Sequence, residues 1–367
     1  MKIKLILCLF TLIFAGGYWY YDTNRYTMPD TIDVTSWALN HIQQQLLAVN
    51  KPVMVQDIQK AYDYLIHKDV VYFKIRNGKI TYQVPGEYLT KITYFKVMHY
   101  VLTKFANQKR LKDNDFLVVY RDCADTLSLP PELEHVPLFV FAKNTANQRN
   151  FPELLIVDSF TLKSWCEIYD DLTKGLKDYP WEKRANKLFW RGKTTDSVDD
   201  TTIRLNSPRV TLVKFTKQYP DRYDARLTKI LSNDSAQIKE IKKLYGETVP
   251  FATIREHLPF KYQITLDGVT ATYPGYIWRM GSGCVNIKQE STNVQWFNSL
   301  FQENVHYLPV AHNLSNLDTV LTKAQSRDYE MKEMAMRARH VVEQELTSSK
   351  VFGYFVELLN AYAAKII

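Results

Sequence analysis

The chain has 367 residues, 46% hydrophobic and 23% charged, a composition that excludes a largely disordered protein and is long enough for two cores. Its 47 Lys and Arg against 39 Asp and Glu leave a net charge of +8, yet the basic residues are scattered, with no Lys/Arg block, zinc-finger spacing or basic helix. Nucleic acid is therefore excluded as the expected partner, and an anionic membrane or a phosphorylated small molecule remains.

Residues 1–22 read as a signal anchor or signal peptide: Lys2 and Lys4 precede an apolar run over 5–17, and Tyr18, Trp19, Tyr20 and Tyr21 form an aromatic belt before Asp22. Beyond Ala15-Gly16-Gly17 no small-x-small cleavage site follows, so an uncleaved single-pass anchor is expected, touching the membrane through residues 5–21. The two lysines keep the N-terminus cytoplasmic and put the globular part on the non-cytoplasmic side, lumenal or periplasmic, with the cytoplasmic face of the inner membrane as the alternative. Cys8 lies inside this segment, and Cys123, Cys166 and Cys284 are widely spaced, which is not a disulfide framework. Without CxxC, HExxH or a Cys/His cluster, no metal is expected.

Helical periodicity follows over residues 33–66, broken near Asn50-Lys51-Pro52. Two β-branched and aromatic runs, 70–75 and 80–84, are joined through Arg76-Asn77-Gly78-Lys79 and read as a hairpin. A helix is expected over 85–105. The strand at 116–120 then ends in Arg121-Asp122, and the short apolar runs 137–141 and 154–157 continue the sheet. Continuous rather than alternating apolar runs argue for strands covered on both faces, as in α/β folds.

A second series starts near Lys183. It comprises a strand through Trp190, one or two polar helices over 222–245, a strand at 260–266 running into Asp267-Gly268, a helix over 272–280 and a strand at 284–288. A helix-like stretch at 296–301, a strand at 305–310 and a helical tail from Leu317 complete it. Strand–helix alternation of this kind marks a parallel sheet. The expected organisation is a first α/β domain over 23–182, a second over 183–345, and a C-terminal helix at 346–367 packing back on the body.

Two such halves face each other across a cleft, and open α/β sheets bind ligands beyond the carboxyl ends of their strands. The stretch Leu188-Phe189-Trp190-Arg191-Gly192-Lys193-Thr194-Thr195 reads as a strand ending in a basic turn: Gly192 relieves a tight turn, Arg191 and Lys193 offset phosphate charge, and hydroxyls and backbone N–H groups complete the cradle. A solvated basic loop is the plainer reading of the same residues. No P-loop or GxGxxG accompanies it, which removes the main signature of kinases and nicotinamide enzymes.

The ordered set Trp190-Arg191-Gly192, Lys261-Tyr262 leading to Asp267-Gly268, Gly281-Ser282-Gly283-Cys284-Val285 with Lys288, Trp296-Phe297, and residues 305–310 followed by Asn313-Leu314-Ser315-Asn316-Leu317 resembles glycosyltransferase family 90. That family includes protein O-glucosyl- and xylosyltransferases, capsule xylosyltransferases and lipopolysaccharide-core glycosyltransferases. The resemblance runs over residues 115–345. It implies a GT-B fold, two Rossmann-like domains facing a central cleft, and a metal-independent, inverting transfer of glucose or xylose from a UDP-sugar to a glycan, a lipid-linked saccharide such as a lipopolysaccharide core, or a protein hydroxyl. No cofactor is implied.

By that resemblance Arg191 contacts the donor diphosphate; on their own chemistry Gly192, Lys193 and Thr194 are expected beside it, Ser282 and Gly283 are expected to let a backbone approach the nucleotide closely, and Lys288 to reach its ribose or phosphates. Asp122 matches the family's base, which takes the proton of the acceptor hydroxyl. On its own chemistry Asp122 is equally a loop or helix cap paired with Arg121, and Asp125 and Asp158 compete for the role; Asp267 reads as a turn residue and Lys288 equally as a solvated lysine. One departure stands out. Where the protein-modifying members of the family have a second diphosphate-binding arginine this chain has Pro274, and Arg279, about one and a half helical turns further on, is the possible replacement. The alternatives are a non-catalytic nucleotide- or sugar-binding protein that keeps the fold, and a membrane-tethered interaction protein.

Overall fold

A computed structural model describes residues 27–122, 124–195 and 205–367. Two helices, α1 (Ser36–Leu46) and α2 (Val55–Tyr64), lead into the antiparallel hairpin β1 (Val70–Arg76) and β2 (Lys79–Gln83). Asn77 and Gly78 turn it with φ of 49° and 75°, the left-handed pair that such a two-residue connection requires. The expected single helix over 85–105 is two, α3 (Glu87–Lys91) and α4 (Thr93–Asn107), because Ile92 between them is extended, with ψ at 142°. β3 (Asn114–Val119) is buried at every position and pairs antiparallel with β1. β4 (Leu138–Val140) and β6 (Glu153–Leu155) add in parallel on its other side, giving the order β2-β1-β3-β4-β6; the two-residue β5 (Lys143–Asn144) stands apart. α5 (Ser159–Asp178) follows, capped by the Asp158 carboxylate, which accepts from the Thr161 amide at 2.9 Å.

The second sheet is wholly parallel. Its strands are β7 (Ala185–Lys193), β8 (Tyr223–Lys229), β9 (Phe260–Thr265), β10 (Val285–Gln289) and β12 (Leu308–Val310), in the order β12-β10-β9-β7-β8, while β11 (Asn293–Val294) pairs antiparallel with β5 and ties the second half to the first. Between them run α6 (Pro208–Gln218), α7 (Ser235–Tyr245), α8 (Ile254–His257) and α9 (Gly275–Gly281), and α10 (Leu317–Gln325), α11 (Asp328–Glu345) and α12 (Ser348–Ala363) close the chain.

Several expectations change here. The polar helices over 222–245 give way to β8 followed by α7: Tyr223, Ala225 and Leu227 are buried at alternate positions, the period of an edge strand. The helix at 272–280 starts only after Pro274, the stretch at 296–301 contains a single 3₁₀ turn at Asn298–Leu300 with Trp296 and Phe297 buried as core, and the strand at 305–310 shortens to Leu308–Val310. α6 has one local signal in the sequence, Pro208 at its first turn.

Two apolar cores accompany the two sheets. The larger gathers β1, β3, β4 and β6 with α1, α4, α5 and the far C-terminal α12, whose Val351, Phe352, Phe355, Leu358, Leu359 and Tyr362 are buried in it. The Asn114 side chain donates to the Leu359 carbonyl at 2.7 Å, so α12 is pinned to β3 across 245 positions of sequence. The smaller core lies around β7 to β10 and α6, α10 and α11.

The anchor expected over residues 5–21 lies outside the described residues. Among those described, no helix is long and apolar enough to cross a membrane. The single-pass, membrane-anchored placement is corrected accordingly and is not carried forward.

Candidate functional site

All strands of the second sheet point the same way, so the C-terminal ends of β7 and β9 open onto one cleft, with Asp122 just past the end of β3 facing them from the first half. The cleft holds about 1240 Å³, including the open solvent at its mouth. Its walls come from Trp190 to Lys193 and Thr195 of the β7 end, Leu266 and Gly268 to Tyr273 of the β9–α9 loop, Arg209 of α6, Phe251 to Ile254 and His257 around α8, and Trp278 and Arg279 of α9. A space of this size with few polar groups converging in it suits a small ligand.

Arg191, Gly192 and Lys193 lie inside β7, which runs on to Lys193, rather than in a turn. Gly192 is needed for packing: a Cβ there would stand 2.2 Å from the Trp190 indole ring. The Arg191 guanidinium is braced by Asp224 of β8, donating to its carboxylate at 3.0 Å and to its backbone carbonyl at 2.7 Å, and it stacks on Phe189 at 4.1 Å. It lines the cleft as an oriented cation whose charge is partly answered by Asp224.

Lys193 is different. Burial, with Lys229 and Arg209 pressing their charges on it, brings its ammonium down to about 8. Arg209 spans the ends of two strands, donating to the Lys193 carbonyl at 2.9 Å, the Asp267 carbonyl at 2.8 Å and the Leu266 carbonyl at 3.2 Å. A group held among like charges at strand ends is stabilised when an anion arrives, and a diphosphate supplies that charge with several acceptor oxygens. Arg279 joins this wall from α9, its guanidinium donating to the Gly275 carbonyl at 2.8 Å and lying 4.4 Å over the Trp278 ring, while Pro274 caps the same helix.

Four expected donor contacts are not brought to the cleft. Thr194 is buried, its hydroxyl accepting from the Leu231 amide at 2.8 Å. Ser282 and Gly283 precede β10 and so stand at the amino end of the sheet, opposite the cleft, where the Ser282 hydroxyl donates to the Arg279 carbonyl and the Gly283 carbonyl accepts from Arg184 at 2.6 Å. Lys288 leaves the sheet between the rings of Tyr276 and Tyr307, at 5.3 and 5.8 Å, and donates to the Gln289 carbonyl.

On the facing side Asp122 lines the cleft while its neighbour Arg121 pairs with Asp69 at 2.8 Å, so the expected Arg121–Asp122 pairing gives way to a contact with the first half. The competing carboxylates are used otherwise. Asp158 caps α5 and, fully buried, rises to about 6, and Asp125 lies 4.0 Å from Arg149. Asp267 is held by the Ser291 hydroxyl and by Asn293 at 2.9 Å, in keeping with a structural turn. The backbone carbonyl of Asp122 accepts two hydroxyls from the β9–α9 loop, Thr270 at 3.1 Å and Tyr273 at 3.2 Å.

Residues absent from the sequence reading complete the walls: Arg209, Phe251, Thr270, Tyr273 and His257. The His257 ring packs edge-on to Phe189 and Trp278, its Nδ1 donates to the Thr253 carbonyl at 2.8 Å, and burial, with Arg279 and Arg191 nearby, lowers it to about 3, so the ring is neutral. No local pattern marks these positions; loop residues and an α6 side chain reach the cleft only through the tertiary fold. Among the described residues no group of three or more His, Cys, Asp or Glu is placed to hold a metal ion.

A family model described as glycosyl transferase family 90 matches residues 41–366. The chain is similar to protein O-glucosyltransferase 2 of Danio rerio, 30% identical over 183 residues that cover 50% of this chain and 33% of that protein. It is also similar to protein O-glucosyltransferase 1 of Homo sapiens, 23% identical over 280 residues, 73% of this chain and 66% of that protein. The chain thus spans 33% to 66% of the length of these curated relatives. Among solved structures, a glycosyltransferase from Rickettsia africae ESF-5 aligns with a TM-score of 0.40 and 10% identity over 64% of this chain and 68% of that one. Sucrose-phosphate synthase from Thermosynechococcus elongatus aligns with a TM-score of 0.35 and 12% identity over 53% and 49%.

Proposed function

Because the chain belongs to glycosyltransferase family 90, we propose that it transfers a sugar, glucose or xylose, from a UDP-sugar to a hydroxyl of a protein, glycan or lipid-linked saccharide, without a metal and with inversion. The arrangement is that of a GT-B enzyme, with 23–182 on the acceptor side and 183–345 on the donor side. One observation carries the reading: a single cleft brings Asp122 of one half opposite the cationic strand ends of the other.

In this mechanism Asp122 takes the proton of the acceptor hydroxyl as its oxygen forms a bond to the anomeric carbon; the bond from that carbon to the phosphate oxygen breaks, and its electron pair leaves with UDP. Lys193, Arg209 and Arg279, with Arg191 oriented by Asp224, stabilise the negative charge that develops on the diphosphate. Preorganised cations in a site shielded from water are worth more than the same charges in bulk solvent. Arg209 and Arg279 make up in this reading for the arginine replaced by Pro274.

The test is incubation of the protein with radiolabelled UDP-glucose and UDP-xylose without acceptor. Slow release of free sugar, together with a UDP-dependent rise in melting temperature, is expected. Absence of both donor hydrolysis and stabilisation by UDP would overturn the reading, and stabilisation without turnover across donors and acceptors would favour a non-catalytic binding protein.

A further inference from the structure

The candidate base is not carried by its own half alone. Arg121, next to it, is tied back to Asp69 at 2.8 Å, and the Asp69 carbonyl in turn accepts the Tyr120 amide at 2.8 Å, which fixes the chain entering the position. From the opposite half, Thr270 Oγ1 and Tyr273 OH both donate to the Asp122 carbonyl, and the two hydroxyl oxygens lie 3.4 Å apart. The Tyr273 ring lies parallel to Phe160 at 6.2 Å, with an interplanar angle of 11°, and Phe160 packs on Tyr94 at 4.2 Å, so the tyrosine is wedged into the first half.

The loop that supplies these hydroxyls is itself ordered. Gly268 donates its amide to the Thr270 carbonyl at 2.9 Å, the Thr272 hydroxyl bonds the Leu266 carbonyl, and the Asp267 amide donates to Gln289 of β10 at 3.0 Å. The same loop lines the cleft through Leu266 and Gly268 to Tyr273, beside Lys193 at the end of β7 and Arg209 of α6. One segment therefore both walls the proposed donor site and grips the backbone of the proposed base.

We infer that Thr270 and Tyr273 are positioning residues, which fix the Asp122 peptide from the donor side so that its carboxylate is aimed at the acceptor hydroxyl. This rests on the assignment of Asp122 as base. Both side chains act through a backbone carbonyl, so they change the aim of the carboxylate and not the binding of donor. A misplacement of a reacting group by a fraction of an ångström is enough to slow a reaction that depends on its alignment.

The experiment measures hydrolysis of UDP-glucose or UDP-xylose, whichever the wild-type turns over, together with UDP affinity by calorimetry, in Tyr273→Phe, Thr270→Val and Thr270→Ser. Tyr273→Phe keeps the ring against Phe160, and melting temperature checks that each variant is folded. The expected result for Tyr273→Phe and for Thr270→Val is a loss in kcat of about 3- to 10-fold, with KM for the donor and the affinity for UDP unchanged, as for removal of one hydrogen bond. Thr270→Ser, which keeps the hydroxyl, should retain most of the wild-type kcat. In an Asp122→Asn background, whose residual rate no longer uses the carboxylate, Tyr273→Phe should add no further loss. Unchanged kcat in both hydroxyl deletions, a change confined to KM, or full additivity with Asp122→Asn would each overturn the inference while leaving the base assignment standing. Undiminished turnover by Asp122→Asn alone would overturn the assignment and, with it, the inference.

Discussion

Lys193 is the residue whose chemistry the cleft alters most visibly in the physiological range. Its ammonium is brought to about 8 by burial and by Lys229 and Arg209, and a bound diphosphate favours the charged form. UDP affinity should therefore be full below pH 8 and decline as pH rises through 8, where the empty site loses its charge; calorimetry from pH 6.5 to 9.5 measures this. Lys193→Gln should bind UDP about 10-fold more weakly at pH 7 and show no such decline. Gly192 is testable by stability. Its Cβ would meet the Trp190 ring at 2.2 Å, so Gly192→Ala should cost about 1–3 kcal/mol in chemical denaturation and weaken donor use by displacing its neighbours. The identity of Arg191, Lys193 and Asp122 as cleft residues was readable because strand ends are where α/β sheets place ligand contacts. The reason for Gly192 was not: a glycine beside two cations reads as a turn, and only the path of β7 shows that it makes room for an indole.

Among the elements, the hairpin β1–β2, the buried β3 and the parallel β9 follow from β-branched runs bounded by turn residues, which local sequence expresses directly. β8 was hidden because its alternation, Tyr223, Ala225 and Leu227, is short and set among charges that suit an exposed helix equally well. Ser282 and Gly283 show a different limit. Small residues beside a strand invite a nucleotide, but they lie before β10 rather than after it, and the polarity of a parallel strand decides which end meets the cleft. The last helix makes a prediction of its own. A Cβ on Gly353 of α12 would fall 1.8 Å from the Asp33 carbonyl oxygen, a backbone atom with little freedom to give way. Gly353→Ala should lower stability by about 2 kcal/mol or more and loosen the first half, read as a fall in denaturation midpoint and faster proteolysis there.

For the molecule as a whole, the two halves are joined by β5 with β11, by α12 and by the loop gripping Asp122, so chemistry and folding stability share the same junction. His257 sits at the base of the cleft and couples the two through pH. Burial and the charges of Arg279 and Arg191 lower it to about 3, against 6.5 in an unfolded chain, so the unfolded chain takes up the proton first. Its contribution to stability is complete above pH 6.5 and falls away as pH drops from 6.5 toward 3, by on the order of 1 kcal/mol per pH unit. Denaturation measured over that range should show the slope, and His257→Asn should flatten it.

In the proposed mechanism Asp122 acts as base across the cleft from the cations that hold the donor. This role is tested most directly by Asp122→Asn, with transfer or donor hydrolysis and UDP affinity measured on the same preparation. The expected result is a loss of turnover of about 100-fold or more with UDP affinity within about 2-fold of wild type. Full turnover by Asp122→Asn would contradict it.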